Sequence, residues 1–206
     1  ELFTSIDETL VKQIDGIDNG VFPEIKAEYQ LLDLDKIIDL FNPTWEEKPD
    51  TDINFAAALN FAETIFDNVI RTEYAKIKAT KKVLSKIDTV KDNILILDEY
   101  LPYQHAIFNS PNPLAKEIKI IILPSNRGGY AIKTVPKSSD DHTARVSFPE
   151  DWAGKVGEEL EQVSGIKGLR FCHTTRFLAT CDSLETAKLV IEKTLNESND
   201  CLESKN

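Results

Sequence analysis

The sequence predicts an α+β fold, in which a helical first half precedes a small, mostly antiparallel sheet. Three observations predict it. The first half contains one long run of apolar residues at helical spacing, and the second half contains several short β-rich runs. One predicted helix precedes the last of these runs and another follows it. Helices and strands that occupy separate parts of a chain are typical of α+β proteins.

Three helices are predicted in the first half. The first is indicated by apolar residues at helical spacing and ends at Gly20, since glycine favours the left-handed C-cap conformation. The second covers residues 25–40. The third is capped by one of residues 50–52 and reaches roughly Ile87. Lysines gather near its end, either as a solvated helix end or as a strip that faces phosphate: Lys76, Lys78, Lys81, Lys82 and Lys86.

The second half alternates short β-rich runs with turn signals. "NILILDEYL" predicts a short buried strand, and "EIKIIILP" with "YAIKTVP" predicts a hairpin around Gly128 and Gly129. "ARVSFPEDW" predicts an extended segment. "GKVGEELEQVSG" predicts a short helix that Gly165 stops, and "GLRFCHTTRFLATC" predicts one strand or a tight strand pair. The final helix opens at Asp182-Ser183, with Glu185 placed for a capping box.

Composition limits the possible partners. The formal net charge of -11 opposes nonspecific adhesion to nucleic acid or anionic lipid, because both are polyanions. Three cysteines, an odd number, indicate free thiols in a reducing compartment. No apolar run reaches the roughly 20 residues that a membrane helix needs, and the start has no signal-peptide pattern. Since the sequence begins at Glu1 and contains no methionine, we expect an intracellular, processed or truncated piece.

The stretch "QIDGIDNGVFPE" carries two aspartates, Asp15 and Asp18, just before Asn19-Gly20. Carboxylates at i and i+3 of a helix share a face, so both can reach one metal ion. Carboxylate oxygens are ligands that Mg²⁺ and Mn²⁺ prefer. The same letters also fit a plain helix end, although acidic groups there oppose the helix dipole. Both interpretations stay open on the residues alone.

Other chemistry-bearing residues form no complete catalytic set. Cys172, His173 and Cys181 match no structural zinc spacing, so buried small thiols are favoured at the two cysteines. His105 and His142 each lack a partner that the sequence reveals, which favours structural histidines.

Several stretches form a recognisable set: "QVSGI" with the following "GLRFCH", "FNPTWEE", "DGIDNG" and "YAIKTVPK". Together they resemble the C-terminal part of the melanocyte-proliferating-gene exonuclease family, a eukaryotic branch of the Asp-His-His phosphoesterases. The match spans nearly the whole sequence. Two departures stand out: Arg176–Thr180 replaces a glycine-rich segment of the family, and the N-terminal metal motifs, including the Asp-His-His triplet, are not in this sequence.

The resemblance implies a domain plan and a function. Residues 1–22 would be the tail of an Asp-His-His phosphoesterase domain, and residues 23–206 an accessory α+β domain that partners the N-terminal domain of the same protein. The activity would be metal-dependent 3′–5′ exonuclease action on single-stranded RNA, with manganese or magnesium as cofactor. The chain by itself would be inactive and would hold no metal tightly.

The resemblance also implies site residues. Asp18 would help to hold the metal, and Asp15 would support it. Four cationic or hydrogen-bonding residues would contact the RNA backbone, unless they only pair with neighbouring acids: Lys167, Arg170, His173 and Arg176. The location would be the nucleus, the mitochondrion or both. No membrane partner is expected. The alternative, which the acidic charge favours, is a non-catalytic protein-interaction or binding module of an intracellular protein.

Overall fold

The computed structural model describes residues 1–21, 28, 32–48 and 50–203, with side chains as far as Glu197. The chain divides into two compact units, Glu1–Lys78 (unit 1) and Ala79–Asn206 (unit 2), and the division falls inside one long helix. Helices precede a five-stranded mixed sheet with further helices around it, which confirms the α+β prediction. The predicted domain boundary after residue 22 stays a prediction.

Unit 1 is helical in its described residues. Helix α1 (Leu2–Ile6), a π-helical turn (Asp7–Val11) and helix α2 (Lys12–Asp18) follow one another directly and end at Gly20, whose φ is +76°. The predicted ending is therefore confirmed.

The second predicted helix is shorter than expected among the described residues. Helix α3 (Leu34–Asp39) is the part that is seen, and Asp33 caps it by accepting a 3.0 Å hydrogen bond from the backbone N–H of Lys36. Residues 25–27 and 29–31 of the predicted helix lie outside the described residues.

Helix α4 (Thr51–Lys86) confirms the long periodic run. Its cap is Asp50, whose Oδ1 accepts a 3.2 Å hydrogen bond from the backbone N–H of Ile53. Of the lysines near its end, Lys76 pairs with Glu73, Lys82 with Glu99 and Lys86 with Asp98. These three lysines therefore form ion pairs with carboxylates of the same chain.

The sheet of unit 2 has the order β1-β2-β3-β5-β4, with β1 parallel to β2 and the other pairs antiparallel. Its strands are β1 (Ile94–Ile96), β2 (Ile120–Pro124), β3 (Tyr130–Thr134), β4 (Leu169–Cys172) and β5 (Leu178–Cys181). The predicted β2–β3 hairpin is confirmed, and "GLRFCHTTRFLATC" is the strand pair rather than one strand.

Four helices and two 3₁₀ turns accompany this sheet. The helices are α5 (Gln104–Asn109), α6 (Pro113–Glu117), α7 (Gly157–Ser164) and α8 (Leu184–Glu203); the turns are Ile87–Thr89 and Glu150–Trp152. Gly165, with φ at +69°, ends α7 as predicted.

The segment "ARVSFPEDW" contributes an isolated bridge, Ala144 with Pro136, and no ladder strand. One local prediction is corrected. The first turn of α8 is capped by Ser183, whose Oγ accepts a 3.0 Å hydrogen bond from the N–H of Thr186. Thr186, not Glu185, therefore occupies the third helical position.

The sheet is covered on both faces, and β2 shows this most clearly. Ile120 and Ile122 join one buried cluster with Phe148, Trp152 and α8, whereas Ile121 and Leu123 join another with Val83 and α5. A strand that is buried on both faces reads as a continuous apolar run, which explains "IIIL".

None of the described helices is long and apolar enough to cross a membrane.

Candidate nucleic-acid interface

The turn between β4 and β5 positions two of the four predicted RNA-contacting residues. Cys172 pairs with Ala179 at the end of the ladder, and the N–H of His173 donates to Leu178 O at 2.8 Å. The N–H of Arg176 then donates to His173 O, also at 2.8 Å, which closes a tight turn. His173 and Arg176 are thus held on one rigid hairpin.

The ring of His173 has a defined hydrogen-bonding state. Its Nδ1 accepts a 3.1 Å hydrogen bond from the backbone N–H of Thr175, and the Thr175 hydroxyl lies 2.8 Å away. A ring nitrogen that accepts from an amide carries no proton, so the neutral ring carries its proton on Nε2. The centroid of the ring lies 4.7 Å from that of Phe177 and 6.2 Å from that of Phe171. His173 therefore presents a half-buried N–H donor with aromatic neighbours.

Arg176 occupies a backbone conformation that favours glycine. Its φ is +58°, which is uncommon for a residue with a side chain. The Arg176 side chain donates from Nη1 to Phe148 O at 3.3 Å, which ties the hairpin to the segment before Trp152.

Arg170 lies at the other end of strand β4, about 10 Å from His173 at the usual rise of a strand. Its Nε pairs with the Asp182 carboxylate, and its Nη1 donates to Gly128 O at 3.1 Å. Arg170 therefore joins β4 to the β2–β3 turn. It also forms an ion pair with a neighbouring acid, which is the alternative to RNA contact that the sequence left open.

Lys167 is exposed in the loop between α7 and β4. It borders a shallow depression together with Glu158 and Glu161. The structure thus brings His173 and Arg176 together, and it places Lys167 and Arg170 away from them, next to carboxylates.

Asp15 and Asp18 are exposed on the last turn of α2. Asn19 closes this turn, since its backbone N–H and its side-chain Nδ2 both donate to Asp15 O, at 3.0 and 2.7 Å. Among the described residues, no third histidine, cysteine or acid joins the pair. Two carboxylates on one helix face fit a Mg²⁺ or Mn²⁺ ion that keeps most of its water ligands.

The two described cysteines are unsuited to nucleophilic chemistry. Cys172 and Cys181 are fully buried, and burial raises the pKa of each thiol to about 11. A thiol must ionise to act as a nucleophile, so these side chains serve packing. The prediction of buried small thiols is confirmed.

Sequence reasoning missed one association of side chains. His105 and His142, which were treated as separate structural histidines, both line one groove beside α5. They are far apart in the sequence, and the hydroxyl-rich, charged stretch "PKSSDDHT" around His142 gives no signal that connects it to His105.

The fold and the hairpin define a two-unit α+β protein whose second unit presents a histidine and an arginine on a rigid turn. Comparison with known proteins then gives the family. The MYG1 exonuclease family model, described as "Uncharacterised protein family (UPF0160)", matches residues 1–195. The chain belongs to this family, which confirms the resemblance to this exonuclease family, whereas the relation to the Asp-His-His phosphoesterases stays a prediction.

Individual relatives agree with this assignment. The chain is 29% identical to a MYG1 protein of Dictyostelium discoideum, over 96% of the chain and 64% of the relative. It is 29% identical to a MYG1 protein of Chlamydia pneumoniae, over 96% and 66%. It is 25% identical to the MYG1 exonuclease of Homo sapiens, over 94% and 55%. Relatives therefore occur in bacteria as well as in eukaryotes.

The chain spans from about half to just under two thirds of the length of these relatives. No solved structure matches significantly.

Proposed function

We propose that this chain is the substrate-positioning part of a metal-dependent 3′–5′ exonuclease that acts on single-stranded RNA. The observation that carries the proposal is family membership over residues 1–195, since relatives of this chain in mammals bear the name MYG1 exonuclease. The relatives are longer than the part that this chain matches, and the remaining metal ligands would lie in that additional part. Activity would be located in the nucleus, the mitochondrion or both.

The β4–β5 turn supports the positioning role. Single-stranded RNA is bound by aromatic side chains that contact bases and by donors that contact phosphates. Phe177 is 41% exposed beside the ring of His173, whose Nε2–H is a donor, and Arg176 adds a cation on the same turn. His173 and Arg176 are the residues for which we propose backbone contact; Arg170 and Lys167 would contribute only after leaving their acidic neighbours.

A metal ion would be held by Asp18 with support from Asp15, and in the whole enzyme it would activate water and brace the leaving oxygen of the phosphodiester. In this chain the two carboxylates would bind Mn²⁺ weakly. Calorimetry should show weak Mn²⁺ binding that Asp18→Asn reduces, with Asp39→Asn as an exposed acidic control that leaves the binding unchanged.

The RNA proposal is tested by fluorescence anisotropy with a labelled single-stranded RNA. We expect His173→Ala and Arg176→Gly each to weaken binding by about tenfold, the loss of one charge-assisted contact. Arg176→Gly suits the left-handed backbone, so the turn is retained. Arg71→Ala removes an exposed arginine from α4 and should have little effect. Equal losses in all three variants, or no binding by the wild-type chain, would refute the positioning role.

A non-catalytic interaction module is the second candidate, and one observation favours it. Unit 1 exposes large apolar side chains, including Phe3 at 92%, Trp45 at 91% and Phe55 at 68%. Clusters of exposed apolar residues mark binding surfaces for other proteins. Absence of RNA and Mn²⁺ binding, with saturable binding of a protein partner that Trp45→Ala weakens, would select this function.

A further inference from the structure

A groove of about 620 Å³ lies in unit 2, and none of the functions above uses it. One wall is formed by α5 and the end of α6, and the other by the segment 136–145 that follows β3. Its volume falls in the range of roughly 300–1,000 Å³ that small-ligand sites occupy in proteins.

The groove gathers positive charge in an acidic protein. Lys116, Lys137 and Arg145 line it together with His105 and His142, and none of its described lining residues carries a carboxylate. The whole chain has a formal charge of -11, so a concave surface with three cations is a local exception. Concave surfaces of one sign concentrate the opposite ion.

Arg145 is the fixed element of this charge. Its Nε donates to Pro136 O at 3.1 Å, and its Nη1 donates to the carbonyl oxygens of Ala115, Lys116 and Ile118 at 3.2, 2.9 and 2.7 Å. Burial lowers its pKa. Its hydrogen-bond acceptors are all carbonyl oxygens, and within the described part of the chain no carboxylate pairs with this guanidinium. A partly desolvated cation of this kind is stabilised by a bound anion.

The neighbouring acids are occupied within their own loop. Asp141 accepts a 2.9 Å hydrogen bond from the N–H of Thr143, and the Thr143 side chain is the main reason for its lowered pKa. Lys137 and His142 are close enough to lower that pKa further. Asp140 accepts from the Ser139 hydroxyl. Ser138 Oγ accepts from the N–H of Asp141 at 2.9 Å, so its own hydroxyl proton is free to donate into the groove.

The remaining lining is apolar or amide-bearing. Phe108 and Pro136 are partly exposed, and Gln104 and Asn109 supply amide groups. Asn109 Nδ2 donates to His105 O at 3.0 Å, which leaves its carbonyl oxygen as an acceptor. Cations and hydroxyl groups that share one groove with an aromatic ring and two amides match a ligand that has both a phosphate and a base.

We propose that this groove binds a nucleoside monophosphate, with the phosphate at the cationic side chains and the base against Phe108. Lys116, Lys137 and Arg145 supply the charge, and Ser138, His105 and His142 supply hydrogen bonds. The proposal does not depend on the exonuclease activity, because it concerns binding to different residues from those of the β4–β5 turn.

The test is isothermal titration calorimetry of the full 206-residue chain with 5′-AMP, 5′-UMP, inorganic phosphate and adenosine. We expect saturable binding of both nucleotides, at least tenfold weaker binding of inorganic phosphate, and no measurable binding of adenosine. The double variant Lys116→Ala/Lys137→Ala should weaken nucleotide binding by about tenfold or more. Both lysines are exposed, so the fold is retained, as circular dichroism would verify.

The matched control is Lys119→Ala/Lys188→Ala, which removes the same charge from exposed positions outside the groove. It should leave nucleotide binding unchanged. Equal weakening in both double variants would show nonspecific attraction and overturn the proposal. Binding of adenosine as tight as that of AMP, or no nucleotide binding by the wild-type chain, would also overturn it, whatever the result of the RNA experiment.

Discussion

At the residue scale, Cys172 and Cys181 combine a structural role with a defined response to pH. Cys172 lies on the last residue of β4 and Cys181 on the last residue of β5, and both side chains belong to the cluster around Trp152. Each Sγ faces a backbone carbonyl, Cys172 towards His173 O at 3.7 Å and Cys181 towards Ser183 O at 3.3 Å. Neither can ionise without bringing charge into the core.

The first prediction is a loss of stability at alkaline pH. The pKa of each thiol is raised from 9.0 to about 11 by burial, so the folded chain retains protons that the unfolded chain releases. The stabilisation is fully present below pH 9 and is lost as the pH rises to 11. Each thiol contributes roughly 2–3 kcal/mol to this loss. Urea denaturation at pH 8, 9, 10 and 11 measures it.

Alanine variants provide the comparison. Cys181→Ala should be less stable at pH 8 because it leaves a cavity, but its stability should fall less steeply between pH 9 and 11. Tyr103, whose pKa burial raises to about 12, is retained in both chains and contributes equally to both curves. Parallel curves for wild type and variant would show that ionisation of the Cys181 thiol is not a cause of the loss.

At the element scale, the hairpin of β2 and β3 shows how closely neighbouring segments approach. Gly128 and Gly129 form its turn, with φ at +80° and +68°. A Cβ at Gly129 would lie 2.1 Å from the backbone oxygen of Cys181, whereas a Cβ at Gly128 would meet nothing within 4 Å. The turn therefore packs directly against the end of β5.

The second prediction follows from this difference. Gly128→Ala should cost about 1 kcal/mol, since only the left-handed conformation opposes it. Gly129→Ala should cost roughly 3 kcal/mol or more, because the backbone of β5 must also move. Thermal or urea denaturation of the two variants compares them directly. Equal losses would mean that the turn and β5 do not approach as described.

The elements also show what a sequence can predict. Helix α4, the β2–β3 hairpin and the stop of α7 at Gly165 were predicted because long periodicity and glycine turns are local signals. Helices α5 and α6 were missed because six and five residues are too few to display a helical period. The groove beside α5 was missed for the same reason, since those two helices carry His105 and Lys116 towards a distant loop.

At the scale of the whole molecule, burial is distributed very unevenly between the two units. Ala79 is the first buried hydrophobic residue in the described chain, and both core clusters belong to unit 2. In unit 1, Glu73 is buried and accepts a 2.6 Å hydrogen bond from Ser5, but none of the large apolar side chains described there is fully buried, and about half of them are exposed. Local stability follows buried apolar contact, so unit 1 should open more readily than unit 2.

The third prediction uses α4, which belongs to both units, as its own control. Its residues 51–70 carry exposed Phe55 and Phe66, whereas residues 79–86 include buried Ala79 and Val83. Both groups have helical backbone hydrogen bonds, but residues 79–86 should be protected from hydrogen exchange at least tenfold better than residues 51–70. This corresponds to a difference of about 1.4 kcal/mol in opening free energy. Mass spectrometry of peptides from the two ends measures this difference. If the two ends are equally protected and this protection rises with protein concentration, a second copy of the chain covers the exposed apolar side chains of unit 1. If they are equally protected at every concentration, the inference that buried apolar contact sets local stability here is contradicted.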